Sequence, residues 1–340
     1  MYSALADQKR KRVVLEVPQE GEGARLDQYA AEKFRLTRSQ AQKRIREGTI
    51  SLSGKKVRPK HILSQTDQIW YDEEEEYTFS AMPLDLDIVY EDEDVLVINK
   101  PPGLVVHPGA GTQGRTTLVE GVAHYLKSKG HDLPGEELRP GIVHRLDKDT
   151  SGVMVLAKNV SAQESLSLQF KQKTNLREYV ALLDGVFDVE RKGIESYLTR
   201  DARYRTRFTS ISLDDFEHLD LEHKKGYRYA KSTFFKGRVY NNRISLVFVR
   251  LSTGRTHQIR IHSRELRMPI IGDTVYGQRV NLGRDFPKGA VTALENPPRQ
   301  MLHAKTLGFT HPSSGEKLGF EVPLHSDFKS LLEILERELF

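Results

Sequence analysis

The apolar positions change their period along the chain, and each change marks out an element. Residues 13–17 read as a short strand. Leu26, Tyr29, Ala30 and Phe34 then recur at helical spacing and give one apolar face. A second helix is predicted from Thr37, where Gln40 completes a capping box, to Gly48, with Ala41 and Ile45 on its apolar side. Residues 49–52, Ser53-Gly54 and 55–58 read as a hairpin. Residues 88–90, 91–94 and 95–98 read as strand, polar turn and strand. Lys100-Pro101-Pro102-Gly103 ends the second strand, because proline cannot donate into a ladder. Helical patterns follow at 117–126 and 161–171, and strands at 153–156, 177–183, 243–251, 302–308 and 318–322. Residues 186–230 are charged and show no clean period. A last helix, 326–339, places Phe328, Leu331, Leu332, Leu335 and Leu339 on one side.

Length and composition narrow the class. A chain of 340 residues suggests two domains, and 29% charged against 38% hydrophobic residues fits a solvated globular protein. No run approaches the roughly 18 apolar residues of a membrane span. The basic start has no apolar segment after it, so no secretory signal is expected. The absence of cysteine excludes disulfides, thiolate nucleophiles and Cys-ligated metals, and fits the cytoplasm.

The net charge of +5 makes a polyanionic partner plausible, and its distribution sharpens the point. The second helix carries Arg38, Lys43, Arg44 and Arg46 with only Glu47 against them, beside a hairpin with Lys55 and Lys56. That reads as a surface tracking phosphates, in preference to an ordinary solvated helix. Lys9 to Arg12 reads as a basic tail. The acidic run 72–76 would repel RNA and reads as a linker. Gly109 to Thr116 approaches dinucleotide and phosphate-loop patterns, but no strand leads into it. A glycine loop over a site is the better reading.

The candidate chemistry centres on residues 139–152. Pro140-Gly141 and Ser151-Gly152 punctuate an ordered turn in which Asp147 stands among His144, Arg145 and Lys148. A carboxylate among cations stays ionised, as a nucleophile or electrostatic stabiliser must. The same turn also reads as a capping turn whose aspartate satisfies backbone amides. Taken alone, Tyr179 reads as an ordinary strand aromatic and Arg255 as an ordinary surface arginine. Asp149 and Asp273 read as turn caps. His257, His262 and His303 fit structural or RNA-contacting roles better than a metal site, for want of a carboxylate in a fitting pattern.

His144-Arg145-Leu146-Asp147 with Thr150-Ser151-Gly152 resembles the signature of the RluA/RluD family of pseudouridine synthases. Arg177 to Leu182, Thr253 to Arg260, Lys100 to Gly103 and Arg299 to Ala304 agree in order and spacing. Residues 13–78 resemble the αL RNA-binding module found in a small-subunit ribosomal protein. The resemblance implies an α+β protein: the module at 13–78, then a catalytic domain at 84–328 on a mixed, mainly antiparallel sheet with a central cleft. Residues 326–340 would add a C-terminal helix. It implies Asp147 as the catalytic aspartate, attacking the ribose or assisting a glycal intermediate, Tyr179 stacking on the base, and Arg255 pairing with Asp147. Arg145 would fill the gap left by the flipped nucleotide, with His144 beside it contacting RNA. Such an isomerisation needs no cofactor and no metal. The module and the His144-to-Gly152 motif favour the branch acting on large-subunit ribosomal RNA, free or in the assembling subunit, by a cytoplasmic monomer without a membrane partner. Transfer RNA is the other substrate within the class, and a non-catalytic assembly factor of the same fold the other class. The chain departs from the family at Arg177, where lysine is common, at Arg267, where glycine is usual, and in its long charged 186–235 stretch.

Overall fold

The structure is a computed structural model that describes residues 11–34, 36–73, 80–108, 116–134, 140–204, 207–277, 280, 282 and 286–339. The glycine loop at 109–115, most of the basic tail, Glu74 to Glu76 and Arg139 lie outside the described residues. The chain divides into two compact units, residues 1–78 and 79–340.

In the first unit, β1 (Lys11–Glu16), α1 (Leu26–Lys33), α2 (Arg38–Glu47), β2 (Ile50–Leu52) and β3 (Gln68–Glu73) close a core around Leu26, Ile45, Ile50 and Ile69. Helix α2 has the expected caps. Gln40 N–H donates to the Thr37 hydroxyl, Thr37 N–H donates to the Gln40 side chain, and Gly48 takes the left-handed conformation at φ 87°. The hairpin at 49–58 is not formed as expected. Its second arm makes only the Leu52–Lys55 bridge, and β2 pairs with β3, which also pairs with β1. Two turn residues cannot offset the entropy of a two-strand ribbon as a third strand over a hydrophobic face can.

The second unit is built on one sheet. Its elements are β4 (Ile88–Glu91), β5 (Val95–Lys100), α3 (Leu118–Ser128), β6 (Ser151–Ala157), α4 (Val160–Gln172), β7 (Leu176–Asp184), β8 (Arg191–Arg200), β9 (Phe208–Ile211), α5 (Leu213–Glu217), β10 (Arg228–Tyr240), β11 (Ile244–Leu251), α6 (Gln258–Glu265), α7 (Lys288–Glu295), β12 (Leu302–Thr310), β13 (Lys317–Glu321) and α8 (Ser326–Leu339). Strand order is β4-β5-β6-β12-β7-β11-β10-β8-β9, with β13 on β12. Only β6–β12 is parallel among these pairings, so the sheet is mixed and mainly antiparallel, as expected. Both faces of its middle are covered. Leu96, Ile98, Met154 and Leu156 enter one core, while Val95, Val97, Val153 and Val155 enter another. Continuous apolar runs are the signature of strands buried on both faces. The parallel pair needs a close backbone approach at Gly152, φ 120°, where a β-carbon would run into the Ala304 carbonyl. No described helix is long and apolar enough to cross a membrane.

Candidate active site

Asp147 lies on the loop that feeds straight into β6, and buried cations pin that loop from two sides. Lys100, at the end of β5, is fully buried, and its Nζ donates to the carbonyls of Pro101, Leu104 and Lys148 at 2.7, 3.0 and 3.0 Å. Burial pushes this ammonium down to about 7. Three acceptors around one nitrogen need all three protons, however, so the geometry holds the charged form. Arg299 approaches from the other side, donating through Nη1 to the Asp149 carbonyl and through Nη2 to the Ser151 hydroxyl. Its Nε and Nη2 bind Asp327 in α8 at 2.7 and 2.8 Å. Burial alone would raise the Asp327 carboxyl, but the bonds from Arg299 and His325 hold it at about 2.

The Asp147 carboxylate meets its main partner in α6. Arg260 Nη1 donates to one carboxylate oxygen at 3.2 Å, while Nε and Nη2 of the same guanidinium grip Asp273 at 2.7 and 2.9 Å. Asp273 in turn accepts the Val275 and Tyr276 amides, so it caps its turn as expected and also orients the arginine. Burial would lower the Arg260 guanidinium and raise the Asp273 carboxyl; their mutual bonds reverse both. His257 Nε2 faces the same Asp147 oxygen at 3.9 Å. The Tyr276 hydroxyl accepts the Phe208 amide at 2.8 Å and lies 2.8 Å from His257 Nδ1, which ties the imidazole to the turn that Asp273 caps. Burial keeps this imidazole below its ordinary value, in spite of Asp147.

These groups open on a cleft of about 290 Å³ lined by His144, Arg145, Asp147, Tyr179, Arg255 and Arg260, among others. The expected catalytic and base-flipping residues of this unit are thus brought together, but two roles change. Arg255 does not pair with Asp147. Its Nε donates to the Tyr229 carbonyl at 3.0 Å, its backbone amide to Gln258, and Arg260 takes the place at the carboxylate. His144 lines the cleft, but its Nε2 accepts the Val155 amide at 3.1 Å and its ring stacks on Phe170 at 4.5 Å. Enclosure pushes it down to about 3, a scaffold's place in contrast to the RNA contact expected of it. Arg145 stays exposed, its Nη1 3.2 Å from His107 Nε2. Tyr179 is buried to 7% exposure, and burial pushes its phenol up to about 12, so it remains protonated at neutral pH.

Comparison with known proteins agrees with this geometry. A family model described as RNA pseudouridylate synthase matches residues 94–265, and one described as S4 domain matches residues 24–69. The chain is 38% identical over 343 residues to the ribosomal large subunit pseudouridine synthase D of Neisseria meningitidis, covering 98% of this chain and 85% of that one. It is 37% identical over 333 residues to the protein of the same name from Pseudomonas aeruginosa, covering 96% and 97%. The chain belongs to the RNA pseudouridylate synthase family. Human RNA pseudouridylate synthase domain containing 4 shares the fold, with a TM-score of 0.56 and 23% identity over 73% of this chain and 92% of that one.

This synthase is therefore an isomerase that converts uridine to pseudouridine in RNA. Its S4 unit presents Arg38, Lys43, Arg46, Lys55 and Lys56 to solvent, while Arg44 is half-buried over the Tyr71 ring. Asp27, fully buried, ties Arg25, Arg38 and Gln42 together, and those bonds, Arg25 first, hold its carboxyl far below the usual range.

Sequence reasoning missed Arg260, His257 and Tyr276 as partners of the aspartate. A signal existed for Arg260, since it lies inside the same Thr253-to-Arg260 motif as Arg255. What was not legible is where α6 begins. His257 sits at φ 58° and Gln258 opens the helix, which turns Arg260 inward and leaves Arg255 on the preceding loop. The other two histidines bind serines: His262 lies between Ser196 and Ser232, and His303 contacts Ser151.

Proposed function

We propose that this synthase acts on uridines of large-subunit ribosomal RNA, as a cytoplasmic monomer, on free RNA or on the assembling subunit. One observation carries the catalytic half of this reading. Asp147 has one oxygen held by Arg260 and faced by His257, and it lines the same cleft as Tyr179. In this reading a flipped uridine enters the cleft, its base against Tyr179. Arg145 fills the vacated stack, offsetting the few kcal/mol that extruding a base costs. The Asp147 carboxylate then attacks the ribose or takes a proton on the way to a glycal. The detached uracil turns and rejoins through carbon, and Arg260 keeps the carboxylate oriented throughout. Residues 13–78 serve as the RNA-binding module, residues 84–328 as the catalytic domain, and 326–340 as a C-terminal helix on it. The names of the relatives and the S4 match support the ribosomal substrate.

Pseudouridine mapping on total RNA from cells with and without the protein tests the reading. Signal lost at large-subunit uridines, and restored by wild type but not by Asp147→Asn, is the expected result. Loss from transfer RNA would keep the enzyme and discard the ribosomal substrate.

A further inference from the structure

Arg177 is a buried charge without a counter-ion. Its side chain is 7% exposed, and its Nε is buried with no hydrogen-bond partner. Among the described residues no hydrogen bond or ion pair engages the rest of the guanidinium either. Its one close neighbour of note is the Phe170 ring, 5.5 Å from the guanidinium carbon to the centroid. A buried charge is ordinarily paired, because leaving it unpaired forfeits several kcal/mol of solvation. The other buried arginines of this unit obey the rule, Arg260 with Asp147 and Asp273, and Arg299 with Asp327. Arg177 stands apart.

Its place in the fold says what it awaits. Arg177 and Tyr179 alternate on one face of β7, about 6.6 Å apart at 3.3 Å per residue, and both line the catalytic cleft. A β-carbon at Gly254 would stand 2.5 Å from Arg177 Nη1, so the Gly254 backbone leaves room for the guanidinium and nothing larger. The described cleft lining carries Arg145, Lys171, Lys173, Arg177, Arg255 and Arg260 against the single carboxylate of Asp147, which Arg260 already holds. Lys173 keeps its place at the rim in a left-handed conformation, φ 61°, that lysine rarely adopts. An excess of cations over carboxylates in a substrate cleft calls for permanent negative charge, and the permanent anions of an RNA substrate are its phosphodiesters.

We propose that Arg177, with Arg255 beside it and Lys171 and Lys173 at the rim, binds a backbone phosphate adjoining the target uridine. This rests on the RNA reading above. The guanidinium is buried and waiting in the free protein, so the phosphate completes an ion pair whose desolvation the fold has already borne. It acts on binding from the first encounter, in contrast to Asp147, which acts on the bond that breaks.

The test uses the full chain with RNA carrying the target uridine, and a series of the same RNA in which one flanking phosphate at a time is a neutral methylphosphonate. Expected for Arg177→Met is a roughly ten-fold loss of kcat/KM lying mainly in KM, with Arg177→Lys recovering most of it. The slope of log affinity against log salt should fall by about 0.7 for the one single-strand phosphate released. One methylphosphonate should weaken wild type and leave Arg177→Met indifferent. The Tm of Arg177→Met should hold or rise, since the substitution removes an unpaired buried charge. A loss confined to kcat, an unchanged salt slope, or equal sensitivity of both proteins to every methylphosphonate would overturn the proposal. Binding and salt slope are read without turnover. An RNA that binds through Arg177 yet is never isomerised would therefore count against the function and leave the phosphate site standing.

Discussion

Arg260 divides one guanidinium between two carboxylates, and that geometry separates it from every other cation in the cleft. Asp273 fixes the plane of the fork, so Nη1 arrives at Asp147 with its direction already set. A lysine cannot reproduce this, because a point charge with rotatable donors cannot hold two carboxylates in a fixed plane. Arg260→Lys should therefore lower kcat by roughly 10- to 150-fold, the equivalent of about 1.5–3 kcal/mol for a hydrogen bond to a charged group. Arg255→Lys should act mainly on KM. Steady-state kinetics of the two variants side by side decides between them, and equal kcat losses would count against the assignment. The buried histidines make a separate prediction. His262 and His303 are fully buried and held down at about 4 by burial, against about 6.5 in an unfolded chain. Between those values the unfolded state binds more protons, so stability is complete above about pH 6.5 and falls as the pH drops toward 4. Each group contributes a slope of up to about 1.4 kcal/mol per pH unit in that window. Urea midpoints measured from pH 7 to 4 should show the fall, and His262→Gln should flatten it.

At the scale of elements, the catalytic loop depends on pieces far away in sequence. Arg299 links the Asp149 carbonyl and the Ser151 hydroxyl to Asp327 at the start of α8, so the last helix bears on the loop that carries Asp147. Asp327→Asn removes the charge while keeping the shape. It should reduce stability by about 2 kcal/mol, in the range for bonds to charged groups, and reduce kcat through the loosened loop; a urea titration and a single-turnover assay check both. Such ties decide what a sequence discloses. Helix α2 was legible because its signals are local: a capping box at Thr37 and Gln40, two apolar positions and a terminal glycine. Strands β5 and β6 were legible because burial on both faces demands unbroken apolar runs. Strands β8 to β10 were not, since β8 buries only Ser196 and Leu198 and ties to β10 partly through polar side chains, Glu195 with Lys231 and Tyr229, which leaves few apolar positions to read. The Asp147 turn was legible as a candidate. Its counter-ion was not, because choosing between Arg255 and Arg260 needs the helix start that a left-handed His257 creates. The 186–235 departure holds β8, β9, α5 and the start of β10, and one of its amides, Phe208, reaches the site by way of Tyr276 and His257.

At the scale of the whole molecule, the two units have separate cores. The one around Leu26 and Ile45 draws only on residues 13–71, while the cores of the catalytic unit draw on residues from Leu84 onward. Each unit thus has the means to fold alone, and the proposed labour divides between them: chemistry at Asp147, Arg260 and Tyr179, and phosphate contact on the S4 helix and its turn. Removing residues 1–78 then has a defined outcome. The described lining of the cleft comes entirely from later residues, so the truncated protein should still isomerise uridine at saturating RNA. KM should rise steeply, and the salt dependence of binding should flatten. Each lost phosphate contact removes about 0.7 to 0.9 from the slope of log affinity against log salt, so losing four of the exposed cations would remove about 3. Filter binding across a salt series, with the truncated and full chains on the same ribosomal transcript, reads this directly. An unchanged slope would mean that Arg38, Lys43, Arg46, Lys55 and Lys56 face solvent and no phosphate, and that recognition lies wholly in the catalytic unit. A flattened slope combined with the persistent sensitivity of Arg177→Met would place phosphate contacts in both units, one set drawing RNA in and the other holding the nucleotide at the aspartate.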